Sequence, residues 1–251
     1  MTLSPTEIDR YARHIVLREI GGAGQMRLKA SHVAIIGAGG LGSPALLYLA
    51  AAGVGQITLI DDDTVSLSNL QRQVLHGTSR VGMPKTESAR LALDEVNPHV
   101  KLHCHQTRLT DANADALLGD ADLILDGSDS FETRYLVNAT ATRLKTPLIA
   151  AAMSQWEGQI SLYDVANGTP CYACIFPAAP APGQAPSCAE AGIMGALAGV
   201  MGSMMAGEAI KHITGAGQTL AKQMLIYDAL WNETRKLTLR RRMDCKVCGT
   251  P

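Results

Sequence analysis

Two patterns in this 251-residue chain carry chemistry on residue type and spacing alone. The first is Gly37-Ala38-Gly39-Gly40-Leu41-Gly42, a G-x-G-x-x-G run between an apolar strand, 32–36, and an Ala/Leu-rich helix, 43–52. Glycine permits the tight turn and the close approach of an anion, and the following helix N-terminus offers it free N–H groups. Asp61 and Asp62 follow the next strand, 56–60, where a carboxylate commonly receives ribose hydroxyls. The second pattern pairs Cys171-x-x-Cys174 with Cys245-x-x-Cys248. Two thiolate pairs are what a tetrahedral Zn²⁺ requires, and the separation between them means that tertiary structure must join them. A disulfide reading suits an oxidising compartment, which nothing here indicates. A thioredoxin-like reading is disfavoured because neither pair is expected to open a helix after a strand.

A glycine loop and an acidic strand end, taken alone, fit a nicotinamide-dependent oxidoreductase. The next segment argues against it. Asn69, Arg72 and Gln73 lie in Leu67-Ser68-Asn69-Leu70-Gln71-Arg72-Gln73, and Lys85 opens a helix expected over 84–96. Singly, Arg72 would be a solvated loop charge and Lys85 an ordinary helix-start residue. As a set they bring two cations and two amides to one pocket, more than two loop-bound phosphates need and suited to a triphosphate.

The elements that must position these residues alternate. Strands are expected at 32–36, 56–60, 100–104, 123–125 and 148–152. Helices are expected at 43–52, 84–96, 111–118 (capped by Asp111) and 131–144. Such alternation defines an α/β chain with a Rossmann-like, doubly wound, mostly parallel sheet covered on both faces. Beyond it, strands at 158–163, 223–227 and 234–239 form an antiparallel extension, and 191–207 reads as a buried helix. Residues 1–20 form an amphipathic helix within an N-terminal helical segment, 1–30. The nucleotide-binding core is 31–155 and the extension 156–251, in a single domain without a linker. Pro177 to Pro186 is a proline-rich loop, and no internal repeat is present.

Composition narrows the partners. Lys plus Arg number 22 and Asp plus Glu 23, for a net charge of −1, which excludes nucleic acid as the main partner. The 47% hydrophobic fraction excludes a disordered chain, and 4% aromatics require an aliphatic core. No secretory signal or membrane span is expected: glycines and Pro44 interrupt 30–60, and 191–207 is too short to cross a bilayer. A cytoplasmic location follows as the default.

Together the glycine loop, the Leu67–Gln73 segment and Pro84-Lys85 resemble the ThiF/MoeB/HesA family of ubiquitin-activating-enzyme-like adenylyltransferases. The resemblance runs from Arg10-Tyr11-Ala12-Arg13 to Cys245-Lys246-Val247-Cys248. It implies that the C-terminal glycine carboxylate of a small ubiquitin-like sulfur carrier ending in Gly-Gly attacks the α-phosphate of ATP, releasing pyrophosphate and leaving an acyl-adenylate. The carrier would be MoaD-like, in molybdopterin synthesis, or alternatively ThiS-like, in thiamin synthesis. Gly37, Gly39, Gly40 and Gly42 would form the phosphate loop and Asp61, with Asp62, the ribose end. Asn69, Arg72, Gln73 and Lys85 would meet the phosphates, and Asp129 the catalytic Mg²⁺. The family commonly has Thr-Asp-Asn where this chain has Ser128-Asp129-Ser130, so the role of Ser130 is open. The resemblance further implies a structural Zn²⁺ on the four cysteines and a homodimer in which Arg13 enters the partner's active site. With no rhodanese-like domain after Cys248, it also implies a separate sulfur donor.

Cys188 matches a position where some relatives carry a reactive cysteine; a catalytic thiol and an inert loop thiol both remain open. Cys104 reads as a buried small hydrophobe. The seven histidines show no metal-ligand spacing and read as structural or solvated.

Overall fold

A computed structural model of the chain describes residues 2–180 and 191–249. Its central strand is β1 (His32–Ile36), whose side chains alternate between two apolar layers. Val33 and Ile35 face a core built with Leu46, Leu49, Leu197 and Met201, while Ala34 and Ile36 face one built with Ile60, Ile124, Val137 and Leu148. Around it β2 (Gln56–Ile60), β3 (Lys101–His105), β4 (Leu123–Asp126) and β5 (Leu148–Ser154) run parallel. Then β6 (Glu157–Tyr163), β7 (Gln223–Asp228) and β8 (Glu233–Thr238) continue the same sheet antiparallel. The eight-stranded order is β3-β2-β1-β4-β5-β6-β7-β8. Direction along the sheet reverses between β1 and β4, which makes a crevice at their C-terminal ends. The register pairs Ile36 with Ile60 on one side and Asp126 on the other, so the loops after β1, β2 and β4 emerge together.

Helices α4 (Gly42–Ala52), α5 (Lys85–Val96), α6 (Ala114–Leu118) and α7 (Phe131–Leu144) are the crossovers of the parallel half. The long helix α9 (Gly195–Thr214), which follows the short α8 (Tyr172–Ile175), lies directly on α4. A Cβ at Gly202 would stand 2.3 Å from the Leu41 carbonyl oxygen, so the glycine allows that approach. Truncating a fully buried contact such as Leu46 or Leu49 to Ala would cost about 2–5 kcal/mol.

The structure corrects the sequence reading at three elements. Residues 1–20 do not form one helix: α1 (Pro5–Arg10), α2 (Ala12–Ile15) and α3 (Gly21–Ala30) are separate. Ser4 and Glu7 close a capping box at the start of α1, and Tyr11 leaves helical geometry to pack its ring against Gly53. Asp111 caps nothing. The helix begins at Ala114, and Asn113 Oδ1 accepts instead from the Thr110 N–H at 2.8 Å. The final helix starts at Gly195 rather than Ala191 and passes Gly207 to Thr214. It tolerates the buried Glu208 because that carboxylate pairs with Lys211 and accepts from the Leu220 N–H. Among the described residues no helix is long and apolar enough to cross a membrane.

Candidate active site and metal centre

The glycine turn is dictated by contact. Gly37 has φ +91°, in the left-handed region, and a Cβ on Gly42 would lie 1.8 Å from the Gly37 carbonyl oxygen. Gly39, by contrast, has open space on its Cβ side, with the Gln73 amide 3.8 Å from it. No side chain caps α4, and the N–H groups of Gly39, Gly40 and Leu41 have no acceptor among the described residues. Three free donors at a helix N-terminus form an anion-binding cradle. Asp61 closes its far side, accepting from the Ala38 N–H at 2.7 Å and the Asp63 N–H at 2.8 Å. Burial raises the Asp61 pKa, against the opposing pull of Lys85 and these two N–H bonds. His76, also buried, braces the loop from below: Nε2 donates to the Ala38 carbonyl and Nδ1 accepts from the Ser88 hydroxyl. Desolvation lowers its pKa, and the Ala38 carbonyl, which can only accept, sets the proton on Nε2.

A cleft of about 950 Å³ opens above this turn. Of the phosphate-site candidates, Gly37, Gly39, Gly40, Asp61, Asp62, Arg72, Gln73, Lys85 and Asp129 all border it. Gly42 lies behind the turn, outside the lining. Asn69 is not part of the lining either; its Oδ1 accepts from the Ser66 N–H at 3.1 Å and closes the 3-10 turn Leu67–Asn69. That turn presents Arg72, whose guanidinium donates to the Ser68 carbonyl and has no carboxylate partner among the described residues. Lys85 does have one. Its side chain is 6% exposed, and Nζ pairs at 2.8 Å with Asp63 Oδ2, which is 69% exposed. Asp63 was not singled out by the sequence reading, which had no means of separating it from Asp61 and Asp62.

The opposite wall is the loop after β4. Asp129 is exposed there and unpaired among the described residues, while Ser130 caps α7 by accepting from the Thr133 N–H at 3.1 Å. Ser130, whose role the sequence left open, therefore has a structural task. Arg134, which also lines the cleft, was missed from sequence because it looks like any other helix arginine. Two buried polar atoms of the cleft residues, Gln73 Oε1 and Ser128 Oγ, have no partner. Buried polar atoms left without a protein partner are places where an ordered water, an ion or a ligand atom supplies the missing bond.

The four cysteines converge. Cys171 Sγ stands 4.0 Å from Cys174 and 3.6 Å from Cys245, Cys174 stands 3.3 Å from Cys248, and all four sulfurs lie within 4.8 Å of one another. Thiolates around a tetrahedral Zn²⁺ stand about 3.8 Å apart, whereas a disulfide would need about 2.05 Å. The cluster, buried throughout, could hold a metal ion such as zinc. Cys171 precedes the single helical turn α8, but the element before that turn is the 3-10 turn Val165–Asn167, so neither pair opens a helix directly after a strand, as expected. The four-sulfur cluster also separates it from a redox pair.

Two further candidates lie elsewhere. Arg13 is exposed and outside the cleft, bordering a separate hollow of about 220 Å³ with Tyr11, His14 and Tyr48. Cys188 falls outside the described residues. Cys104, expected to be buried, is half-buried, and burial pushes its thiol up to about 11.

A doubly wound sheet with an anion cradle, a cleft bordered by Arg72, Lys85 and Arg134, and a four-cysteine cluster that could hold a metal defines an α/β protein with the geometry of a nucleotide-binding fold. The chain belongs to the ThiF family, which it matches over residues 11–247. It is 47% identical to a sulfur carrier protein adenylyltransferase of Thermus thermophilus across 99% of this chain and 93% of that protein. It is 45% identical to the Drosophila yakuba adenylyltransferase and sulfurtransferase MOCS3, of which it spans 54%. The fold resembles a crystal structure of E. coli MccB with MccA-N7isoASN, with TM-score 0.86, 25% identity, and coverage of 96% of this chain and 75% of that one. The enzyme class is that of its relatives, adenylyltransferase.

Proposed function

We propose that the chain, as one adenylyltransferase domain, joins AMP from ATP to the C-terminal glycine carboxylate of a ubiquitin-like sulfur carrier. The observation that supports it most is the convergence of Arg72, Lys85, Gln73 and the free N–H groups of the glycine turn on one cleft. The carboxylate is already ionised, so no general base is needed; alignment and neutralisation of charge supply the rate. Asp61 and Asp62 hold the ribose end, and Gly39 and Gly40 let the phosphates approach backbone. Arg72 takes up charge on the polyphosphate, and Lys85 exchanges its Asp63 contact for a phosphate oxygen. Asp129, unpaired and beside the orphaned Ser128 hydroxyl, suits a Mg²⁺, which when bound neutralises the departing pyrophosphate. The four cysteines suit a structural Zn²⁺ that ties the C-terminus to α8.

The finer reading is a MoaD-like carrier, with a ThiS-like one as the alternative. The chain works as a cytoplasmic homodimer whose Arg13 completes the partner's cleft. A separate sulfur donor serves the carrier. Nicotinamide chemistry would leave Arg72, Lys85 and Asp129 idle. ATP–pyrophosphate exchange with and without each purified carrier tests the proposal. Exchange that depends on a MoaD-like carrier supports it, and exchange only with a ThiS-like carrier shifts the pathway. No carrier-dependent exchange refutes it.

A further inference from the structure

Asp129 owes its place to its neighbours' backbone. Asp126, the buried last residue of β4, accepts the Ser128 N–H on Oδ1 at 2.9 Å. The carbonyl of the same Ser128 accepts from Arg134 at 2.5 Å, and the other guanidinium nitrogen of Arg134 donates to the Ala151 carbonyl on β5 at 2.8 Å. Ser130, on the far side of Asp129, is fixed by its cap on α7. Ser128 is thus held through both its N–H and its carbonyl, and Ser130 through its hydroxyl, while the carboxylate of Asp129 between them borders the cleft without a partner among the described residues. Arg134 is only 6% exposed and has no carboxylate within ion-pair distance among the described residues. A buried cation satisfied by carbonyls alone carries a desolvation penalty that an apolar side chain would avoid.

We propose that Arg134 is a positioning residue that fixes the Asp129 carboxylate through the Ser128 peptide. The proposal rests on the adenylyltransferase reading and goes beyond it, because Arg134 acts on the reaction only through Asp129. A plain structural staple between α7 and β5 would change stability and leave the catalytic profile alone.

The test is a double-mutant cycle of Arg134→Gln and Asp129→Asn in the full chain, followed by carrier-dependent pyrophosphate exchange, calorimetric ATP binding with and without Mg²⁺, and thermal unfolding. Arg134→Gln is expected to slow exchange about 10–100-fold, as loss of a partner that orients a ligand group does. It should weaken ATP binding in the presence of Mg²⁺ and leave Mg²⁺-free binding unchanged. Arg134→Lys, which can reach one carbonyl but not both, should recover only part of the loss and covers the case in which the glutamine variant does not fold. The double variant should be no slower than Asp129→Asn, since two residues acting through one group are not additive. Multiplied effects in the double variant, or Arg134 variants with wild-type exchange and Mg²⁺ dependence, would overturn the proposal. Should the wild-type chain itself show no exchange, the adenylyltransferase reading has failed, which is a separate result.

Discussion

Replacing Lys85 with Met separates a catalytic cation from a stabilising one, because the structure assigns the two contributions different sizes. Methionine keeps the buried stem and removes only the ammonium. In the free protein that ammonium pairs with an Asp63 carboxylate that is 69% exposed, so solvent screens the pair and its contribution to folding is about 1 kcal/mol or less. For a chain of this size that corresponds to a fall in melting temperature of about 2–4 °C. Under the proposed function, the same charge meets the polyphosphate inside the cleft in the transition state. There, loss of one electrostatic donor costs about 3–4 kcal/mol, or 10²–10³-fold in rate. Calorimetric unfolding and carrier-dependent pyrophosphate exchange on the same preparation read both quantities. Asp63→Asn is the control: it removes the competitor for Lys85 and should change exchange by less than about fivefold. Exchange by Lys85→Met within fivefold of wild type, or a melting-temperature loss large enough to account for its inactivity, would refute the reasoning.

Arg72→Ala and Asp129→Ala should each lower adenylate formation by about 10²-fold or more with melting temperatures near wild type; normal exchange in either would remove that residue from the site. Elemental analysis should find one zinc per chain, and Cys171→Ser should lower thermal stability more than the turnover of the chains that remain folded. Zinc-free protein, or a Cys171–Cys174 disulfide by mass spectrometry, would contradict this. If Arg13 completes the partner's cleft, mixing Arg13→Ala with Arg72→Ala chains should restore activity. Half the exchanged dimers are mixed and carry one complete site of two, so recovery should approach about a quarter of wild type. No recovery after verified subunit exchange would return Arg13 to the surface. Glu7 is held at a pKa of about 2 by its bonds from Lys29 and the Ser4 N–H, below its ordinary value of 4.5. A depressed carboxylate stabilises the fold above its unfolded pKa and loses that contribution as pH falls through the folded one. Glu7→Gln should therefore lower the melting temperature at pH 7, with the difference shrinking between pH 4.5 and 2; a difference independent of pH would contradict this assignment.

Much of the cleft was legible because backbone geometry demands particular residues. Gly37 and Gly42 are required by their contacts, Asp61 follows from the strand it ends, and the cysteine pairs have few other uses. What was missed has no local signature. Arg134 sits one turn into α7 and cannot be told by spacing from Arg143 further along, yet the first is buried against two carbonyls and the second pairs with Asp115 on the surface. Asp63 follows two other aspartates, and only the fold shows which of the three faces Lys85. Asn69 is a different case: its type suits a phosphate contact, and in the fold its Oδ1 closes its own turn. Helix boundaries failed where capping alternatives compete within three residues, as with Asp111 and Asn113, or where a buried charge finds partners, as with Glu208.

In the proposed reaction the α-phosphate of ATP is transferred, as AMP, to a carrier's C-terminal carboxylate. That transfer is tested most directly by incubating the wild-type chain and a Gly-Gly-ended sulfur carrier with ATP labelled at either the α- or the γ-phosphate, followed by mass spectrometry of the carrier. The account predicts that the α label alone joins the carrier, at its terminal glycine, in a reaction reversed by pyrophosphate. Transfer of the γ label, or an unlabelled carrier beside active Mg²⁺-ATP binding, would contradict it.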